Sequence, residues 1–118
     1  MIDKHNIPVE LLPPDYRSAV TTGVLEVWYG DGSYIVPKGF TTDFASIPRF
    51  FWRIWPPWGP WTPAAIMHDR LYEVQRCTRE EADRRFRGAM KELGVGWFTR
   101  WAFWLGVRVG GWRHWKRK

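Results

Sequence analysis

The sequence predicts an α+β fold: an N-terminal β-hairpin, an irregular segment rich in tryptophan and proline, an antiparallel helical hairpin and a third, C-terminal helix. Three observations support this prediction. A glycine-aspartate turn separates two runs of β-branched and aromatic residues early in the chain, and tryptophan alternates with proline in the middle. Helix-start signals followed by apolar residues at helical spacing occupy the second half. At 118 residues the chain has room for one domain, 1–118.

The β-hairpin is predicted over residues 24–37. Gly30, Asp31 and Gly32 would form its turn, because an Asp-Gly pair between β-branched and aromatic runs is a strong hairpin signal. Pro37 ends the second strand, since proline cannot donate a hydrogen bond to a β-ladder.

Residues 40–61 are predicted to be irregular. Within them Trp52, Trp55, Trp58 and Trp61 recur at every third position, with prolines between them. Three residues per turn is the polyproline II repeat, so a stretch of it would align the indoles along one edge. The favoured interpretation is that these large rings cover the core of a small domain. The alternative is a binding platform.

A helical hairpin is predicted over residues 62–93. Thr62 is the expected N-cap of its first helix, with Pro63 at the first helical position. Thr78 opens the second helix, and Glu81 three residues later completes a capping box. The apolar face of this second helix comprises Ala82, Phe86, Ala89, Met90 and Leu93. The short gap between the two helices implies that they pack antiparallel.

The last region, 97–118, is predicted to be a tryptophan-rich helix to about Val109 followed by a basic tail. The helix is apolar nearly all round, and helices of this kind are either buried or lie at a membrane surface. Packing against the helical hairpin is favoured, but interfacial contact stays open because tryptophan prefers the headgroup level and arginine can snorkel. The candidate binding surface comprises Trp97, Arg100, Trp101, Arg108 and Arg113.

The formal net charge of +6 arises entirely from this last region. Residues 97–118 contain six lysine and arginine side chains and no acidic residue, whereas residues 1–96 contain 12 basic and 12 acidic side chains. Tails of this kind bind phosphates, on lipid or nucleic acid, or an acidic protein face.

Composition excludes several classes of protein. With 45% hydrophobic and 25% charged residues the chain is not disordered, and its single cysteine, Cys77, excludes an internal disulfide framework. No apolar stretch reaches the roughly 18 residues of a membrane-spanning helix. No segment at the N-terminus resembles a signal peptide, so we expect a cytoplasmic location.

The residues most suited to chemistry are His68 and Asp83. Helical spacing places His68 at the margin of the apolar face of the first helix, with Tyr72 one turn on, and Asp83 at the border of the apolar face of the second. If the helices pair through these faces, the Asp83 carboxylate meets the His68 imidazole and leaves its other nitrogen as a base. His68, Asp83 and Tyr72 are therefore candidate catalytic residues for activating water. The alternative is a satisfied structural histidine in a half-buried bridge.

Asp69 and Asp43 are candidate metal ligands. Asp69 points roughly 100° further round the first helix than His68, and Asp43 lies in a stretch with no regular pattern. If that stretch folds over the first helix, Asp43, His68 and Asp69 form a cluster suited to a divalent cation, Ca²⁺ or Zn²⁺. Alternatively, Asp43 closes a turn on its own backbone.

Three blocks of sequence resemble a small phage and prophage family, that of domain of unknown function 1353. They are GFTTDFASIPR at 39–49, PAAIMHDRLY at 63–72, and REEADRRF at 79–86 followed by Met90. The resemblance extends over about residues 20–112. It implies a bacteriophage or prophage origin. We expect synthesis in the host cytoplasm, and the sequence leaves open whether the protein is associated with the virion.

A second, local pattern is similar to the paired helices of phospholipases A2: His-Asp-x-x-Tyr on one helix and Asp-Arg with a later Met on the next. The resemblance implies that His68 is the base, Asp69 a calcium ligand, Asp83 the residue orienting the histidine, and Tyr72 its support. The chain lacks the disulfides and the glycine-rich calcium loop of that family.

Three functional hypotheses follow from the sequence. The first, slightly favoured, is a metal-assisted or His-based hydrolase acting on lipid or another host envelope component at an anionic membrane. The second is a non-enzymatic phage structural or tail-assembly protein whose tryptophan-rich segment and basic tail dock on other virion proteins. A nucleic-acid-binding protein is disfavoured, because the positive charges are confined to the C-terminus.

Overall fold

A computed structural model describes residues 8–13, 18–43, 53–54, 59–111 and 115. In this part of the chain the strands precede the helices, which confirms the α+β class. The strands are β1 (Val9–Leu12), β2 (Ser18–Thr21), β3 (Leu25–Trp28), β4 (Ser33–Val36) and β5 (Thr41–Thr42), and the helices are α1 (Thr62–Val74), α2 (Arg79–Glu92) and α3 (Trp97–Gly110). The predicted row at Trp52, Trp55 and Trp58 lies outside the described residues, as does the basic tail with Arg113.

The predicted hairpin is confirmed as β3 and β4, which pair antiparallel. Its turn is closed where the Tyr29 N–H donates to the Gly32 carbonyl at 3.0 Å. Alternate side chains point in opposite directions, so Leu25, Val27 and Val36 reach the core. The hairpin thus contributes one apolar face to the packing of the helices.

A second sheet, of order β1-β2-β5, was not predicted. Its strands have four, four and two residues, too few for an alternating pattern to be recognised in the sequence. Buried Thr21 on β2 anchors the chain that leaves the hairpin: its hydroxyl donates to the Pro37 carbonyl at 2.7 Å and accepts from the Phe40 N–H at 2.8 Å. This anchoring places β5, which the sequence assigned to the irregular segment, beside α1.

The helix boundaries match the predictions closely, but two predictions about the helix caps are wrong. Thr62 is the first residue of α1 rather than its cap; Trp61 occupies the cap position, and the Thr62 hydroxyl accepts from the Gly59 N–H at 2.9 Å. Thr78 caps α2 as predicted, accepting from the Glu81 N–H at 3.1 Å. The Glu81 carboxylate does not complete the capping box, because it pairs with two arginines of its own helix.

Helix α2 packs against both α1 and α3. Phe86 of α2 is fully buried and stacks on Phe103 of α3, with ring centroids 6.4 Å apart. Phe103 and Val107 are the buried residues of α3. The predicted packing of α3 against the helical hairpin formed by α1 and α2 is therefore confirmed for one face of α3. None of the helices in the described ranges is long and apolar enough to cross a membrane.

Gly88 allows α2 to approach the β-hairpin closely. A Cβ atom at this position would overlap the Tyr29 carbonyl oxygen, which is backbone and cannot rotate away. We predict that Gly88→Ala lowers the free energy of unfolding by about 2 kcal/mol, although alanine is intrinsically the better helix former by about 1 kcal/mol. Urea denaturation measures the change.

Gly110→Ala is the matched control, because it replaces a glycine of α3 with open space around it. We expect its stability to be unchanged or slightly raised. Equal stability of Gly88→Ala and the original protein would contradict the close approach of hairpin and helix.

Candidate functional site

The Asp83 carboxylate, 0% exposed, is the centre of a buried polar cluster. Its Oδ1 lies 2.6 Å from Nε2 of His68 and accepts a hydrogen bond of 2.6 Å from the Tyr72 hydroxyl. Its Oδ2 accepts from Nη1 of Arg108 at 2.8 Å. Because His68 and Tyr72 lie on α1 and Arg108 lies on α3, this one side chain of α2 joins all three helices.

The predicted meeting of His68 and Asp83 across the helix seam is therefore found. His68 and Tyr72 are four residues apart on α1, so their side chains share one face and approach the same carboxylate. An ionised carboxylate can only accept, which places the His68 proton on Nε2.

Arg79, which sequence analysis did not single out, completes the cluster. Its Nε donates to the Tyr72 hydroxyl at 3.2 Å and lies 4.0 Å from Oδ2 of Asp83. Its Nη2 donates at 2.7 Å to the carbonyls of both Val107 and Arg108. These carbonyls belong to the last turn of α3, where the Val107 carbonyl also accepts the capping N–H of Gly111.

The two arginines differ in how far the sequence could have revealed them. Arg79 and Asp83 have the i, i+4 spacing of a helical ion pair, so this contact had a signal. Arg108 is 25 residues from Asp83, and only the packing of α3 brings them together. Arg108 belongs to the predicted binding surface; its side chain is 29% exposed and Nη1 points to Asp83.

His68 is enclosed, with 1% of its surface exposed. Its ring packs against Tyr72 and Phe86, at centroid distances of 4.3 and 4.6 Å. A general base must reach the proton it removes, directly or through one water. The surroundings of His68 match the alternative interpretation, a structural histidine satisfied at a helix seam.

The Asp83 carboxyl at the centre of the cluster is ionised at neutral pH. Burial raises the pKa of Asp83, but hydrogen bonds from His68, Tyr72 and Arg108 lower it by more, so the pKa lies below its usual value. Burial, and then the adjacent Asp83 carboxylate, raises the pKa of Tyr72, which keeps the phenol protonated as a donor. The buried negative charge thus faces Arg108 and Arg79 and the ring donors of His68 and Tyr72.

The segment after the hairpin does fold onto α1, at Thr42 and Asp69. The buried Thr42 hydroxyl donates a hydrogen bond to the Asp69 carboxylate, tying β5 to the helix. Asp43 follows at an exposed position. Among the residues that the structure describes, no three His, Cys, Asp or Glu side chains are grouped to hold a metal ion, so Asp43, His68 and Asp69 do not form the predicted cluster. A bound Ca²⁺ or Zn²⁺ stays a prediction from the sequence.

Helix α3 exposes a second apolar face opposite Phe103 and Val107. We call it the outer face of α3; its residues are Trp97, Phe98, Trp101, Leu105 and Val109. Trp101 forms an edge-to-face pair with Trp104 at 5.4 Å, and the Arg87 guanidinium of α2 lies over both rings, 4.4 and 5.2 Å from their centroids. Arg100 donates to the Val95 carbonyl at 3.2 Å, which brings its charge to the first turn of the helix.

We predict that Asp83→Asn lowers the free energy of unfolding by about 3 kcal/mol or more. The substitution removes the negative charge to which His68 and Tyr72 of α1 and Arg108 of α3 are bound. The matched control is Glu81→Gln, two residues away on the same helix and partly exposed with its arginines. Its expected cost is below about 1 kcal/mol. Similar costs for the two variants in chemical denaturation would contradict the central role of Asp83.

Stability should also fall in acid. The pKa of Asp83 in the folded protein is below the 3.8 of an ordinary carboxyl, so its contribution is present above that value and lost as pH falls through the folded pKa. Glu81 acts in the same direction, because a hydrogen bond from Arg84 lowers its pKa to about 2. Unfolding free energy measured from pH 6 downward should therefore drop less steeply in Asp83→Asn than in the original protein. An unchanged slope would show that Asp83 titrates alike in both states.

Comparison with known proteins identifies a family but no activity. The family model described as "Protein of unknown function (DUF1353)" matches residues 25–107. A relative from Sinorhizobium fredii (strain NBRC 101917 / NGR234), "Uncharacterized protein y4jT", is 36% identical over 78 residues, which are 64% of this chain and 23% of that protein.

The match thus spans less than a quarter of the length of that relative. No solved structure matches the chain. Neither name assigns an activity, so a phage origin and a likeness to phospholipases A2 stay predictions from the sequence. The match over residues 25–107 covers the β-hairpin and the whole Asp83 cluster except Arg108. Because the match extends over most of the chain, the chain belongs to the DUF1353 family.

Proposed function

We propose that this domain is a docking module, with α3 as its contact surface, and that its His-Asp pair has a structural role. The observation that carries the proposal is the contrast between its two candidate sites. His68 and Asp83 are 1% and 0% exposed, whereas the outer face of α3 presents side chains that are 44–69% exposed.

The environment of His68 supports a structural role over hydrolysis. Water activation requires an imidazole nitrogen that reaches both a water molecule and a substrate. In this chain Nε2 is bound to Asp83 and the ring is packed against Tyr72 and Phe86. The same carboxylate also binds Arg108, so the groups expected to perform catalysis are those that hold the helices together.

The outer face of α3 has the composition of a contact surface. Contiguous apolar patches are uncommon on monomeric soluble proteins and mark sites of interaction. Tryptophan is enriched at the residues that dominate binding energy, and Trp97 and Trp101 lie on this face. The proposal corresponds to the non-enzymatic hypothesis drawn from the sequence, in which the tryptophan-rich segment and the basic tail dock on other virion proteins. It differs in assigning the contact to α3 and in adding a membrane surface as an alternative partner.

The test compares two double variants expressed in bacterial cells, with lysates separated on a density gradient. We predict that the original chain sediments with membranes or a large assembly and that Trp97→Ser/Leu105→Ser sediments as the free 14.1 kDa protein. The control, Val24→Ser/Ile35→Ser, removes exposed apolar side chains from the hairpin and should sediment like the original.

Two results would contradict the proposal. One is sedimentation of the original chain as free protein. The other is hydrolysis of a phospholipid or ester, with Ca²⁺ or Zn²⁺ added, that is lost in a folded His68→Gln variant.

A further inference from the structure

Resting on the proposed docking function, we propose that the outer face of α3 docks on an anionic membrane surface. Two observations support this inference: α3 has an exposed aromatic and aliphatic face, and the sequence of residues 97–118, to which α3 belongs, holds positive charge and no acidic residue.

The shape of the apolar face suits shallow insertion into a lipid interface. Its residues extend from Trp97 to Val109 along one side of α3, a rise of about 18 Å at 1.5 Å per residue. The helix has 14 residues and is fixed to the domain through Phe103 and Val107 on its other side. A helix held in this way can lie in the plane of a membrane with one face buried among the headgroups and upper acyl chains. Tryptophan, which prefers that depth, supplies two of the exposed rings.

Charge favours lipid over a neutral partner. No acidic residue follows Glu92, and residues 97–118 account for the whole net charge of +6. On the described surface, Arg100 lies in the first turns of α3, and Arg87 and Lys91 lie on the adjacent helix α2. Each basic residue near an anionic membrane contributes on the order of 1 kcal/mol of attraction. An apolar face that has the Arg87 cation at its edge, and that belongs to a positively charged part of the sequence, is complementary to a surface that is apolar inside and negatively charged outside.

Arg87 has a specific part in this surface as a positioning residue. Its guanidinium stacks over Trp101 and Trp104, which meet edge to face at 5.4 Å. Stacking of a planar cation on an indole restricts the ring and keeps the charge beside it. Arg87 thus holds Trp101 in an exposed orientation and adds a cation at the edge of the outer face.

Single-stranded nucleic acid is the other class of partner that exposed aromatic rings bind, by base stacking. On the outer face of α3, Arg87 covers one side of Trp101, and Trp97 is paired edge to face with Phe98 at 6.0 Å. Binding of nucleic acid is therefore one of the outcomes that would overturn the membrane assignment.

The test is flotation of the purified full chain with lipid vesicles, either containing about 30% phosphatidylglycerol or made of phosphatidylcholine alone. We predict partition about tenfold or more stronger on the anionic vesicles, weakened by added salt. Trp97→Ser/Leu105→Ser should lower that partition about tenfold or more, and Val24→Ser/Ile35→Ser should leave it unchanged.

Arg87→Gln and Arg84→Gln separate positioning from net charge. Both remove one positive charge from α2, but Arg84 pairs with Glu81 and Asp31. We predict that Arg87→Gln lowers partition more than Arg84→Gln and that Arg87→Lys restores only part of the loss. Equal effects of the two Gln variants would overturn the positioning role of Arg87.

Other outcomes overturn the membrane assignment. Failure to float with anionic vesicles, while sedimentation in lysates still depends on Trp97 and Leu105, would reject the membrane and leave the docking function standing. Equal binding to neutral vesicles would reject charge complementarity. Displacement from vesicles by oligonucleotide would assign the face to nucleic acid, and lipid-independent self-association through Trp97 and Leu105 would assign it to a second copy of the chain.

Discussion

The Asp83 carboxylate accepts hydrogen bonds from α1 and α3 while it is itself carried by α2, and the arrangement of the three helices depends on it. Removing a carboxylate from water is costly unless it is paired and hydrogen-bonded. Here two ring donors and an arginine satisfy it, and Arg79 adds a second cation nearby. Loss of any one helix would leave a buried charge with fewer partners, so the packing of the three helices is cooperative.

Helix α3 needs this anchor more than the other two helices do. Its buried residues are Phe103 and Val107, so its apolar contact with the core is narrow. Arg108 and the two carbonyls bound by Arg79 fix the last turn of the helix by polar contacts. Because α3 is held in this way from one side, the residues on its opposite side can stay in solvent. The exposed outer face and the buried cluster are thus two consequences of the same attachment.

The sequence predicted the meeting of His68 and Asp83 because both positions follow from helical periodicity and a short connection between helices. The hairpin was equally accessible, since an Asp-Gly turn is a local signal. Burial was not. A histidine beside an aspartate has the same spacing whether the pair lines an open cleft or a sealed seam, and the difference arises from Phe86 and from Arg108, which lies 25 residues from Asp83. The contact between Thr42 and Asp69 depends likewise on a two-residue strand that leaves no pattern in the sequence.

A double-mutant cycle between Asp83 and Arg108 tests most directly whether the Asp83 carboxylate holds the three helices together. The free energy of unfolding is measured for the original protein, for Asp83→Asn, for Arg108→Met and for the combination. If the Asp83 carboxylate holds α3 to the helical hairpin, the second substitution costs far less once the first is present, and the coupling energy is about 2 kcal/mol or more. Additive effects, with a coupling below about 0.5 kcal/mol, would show that α3 is held by other contacts and would contradict the account.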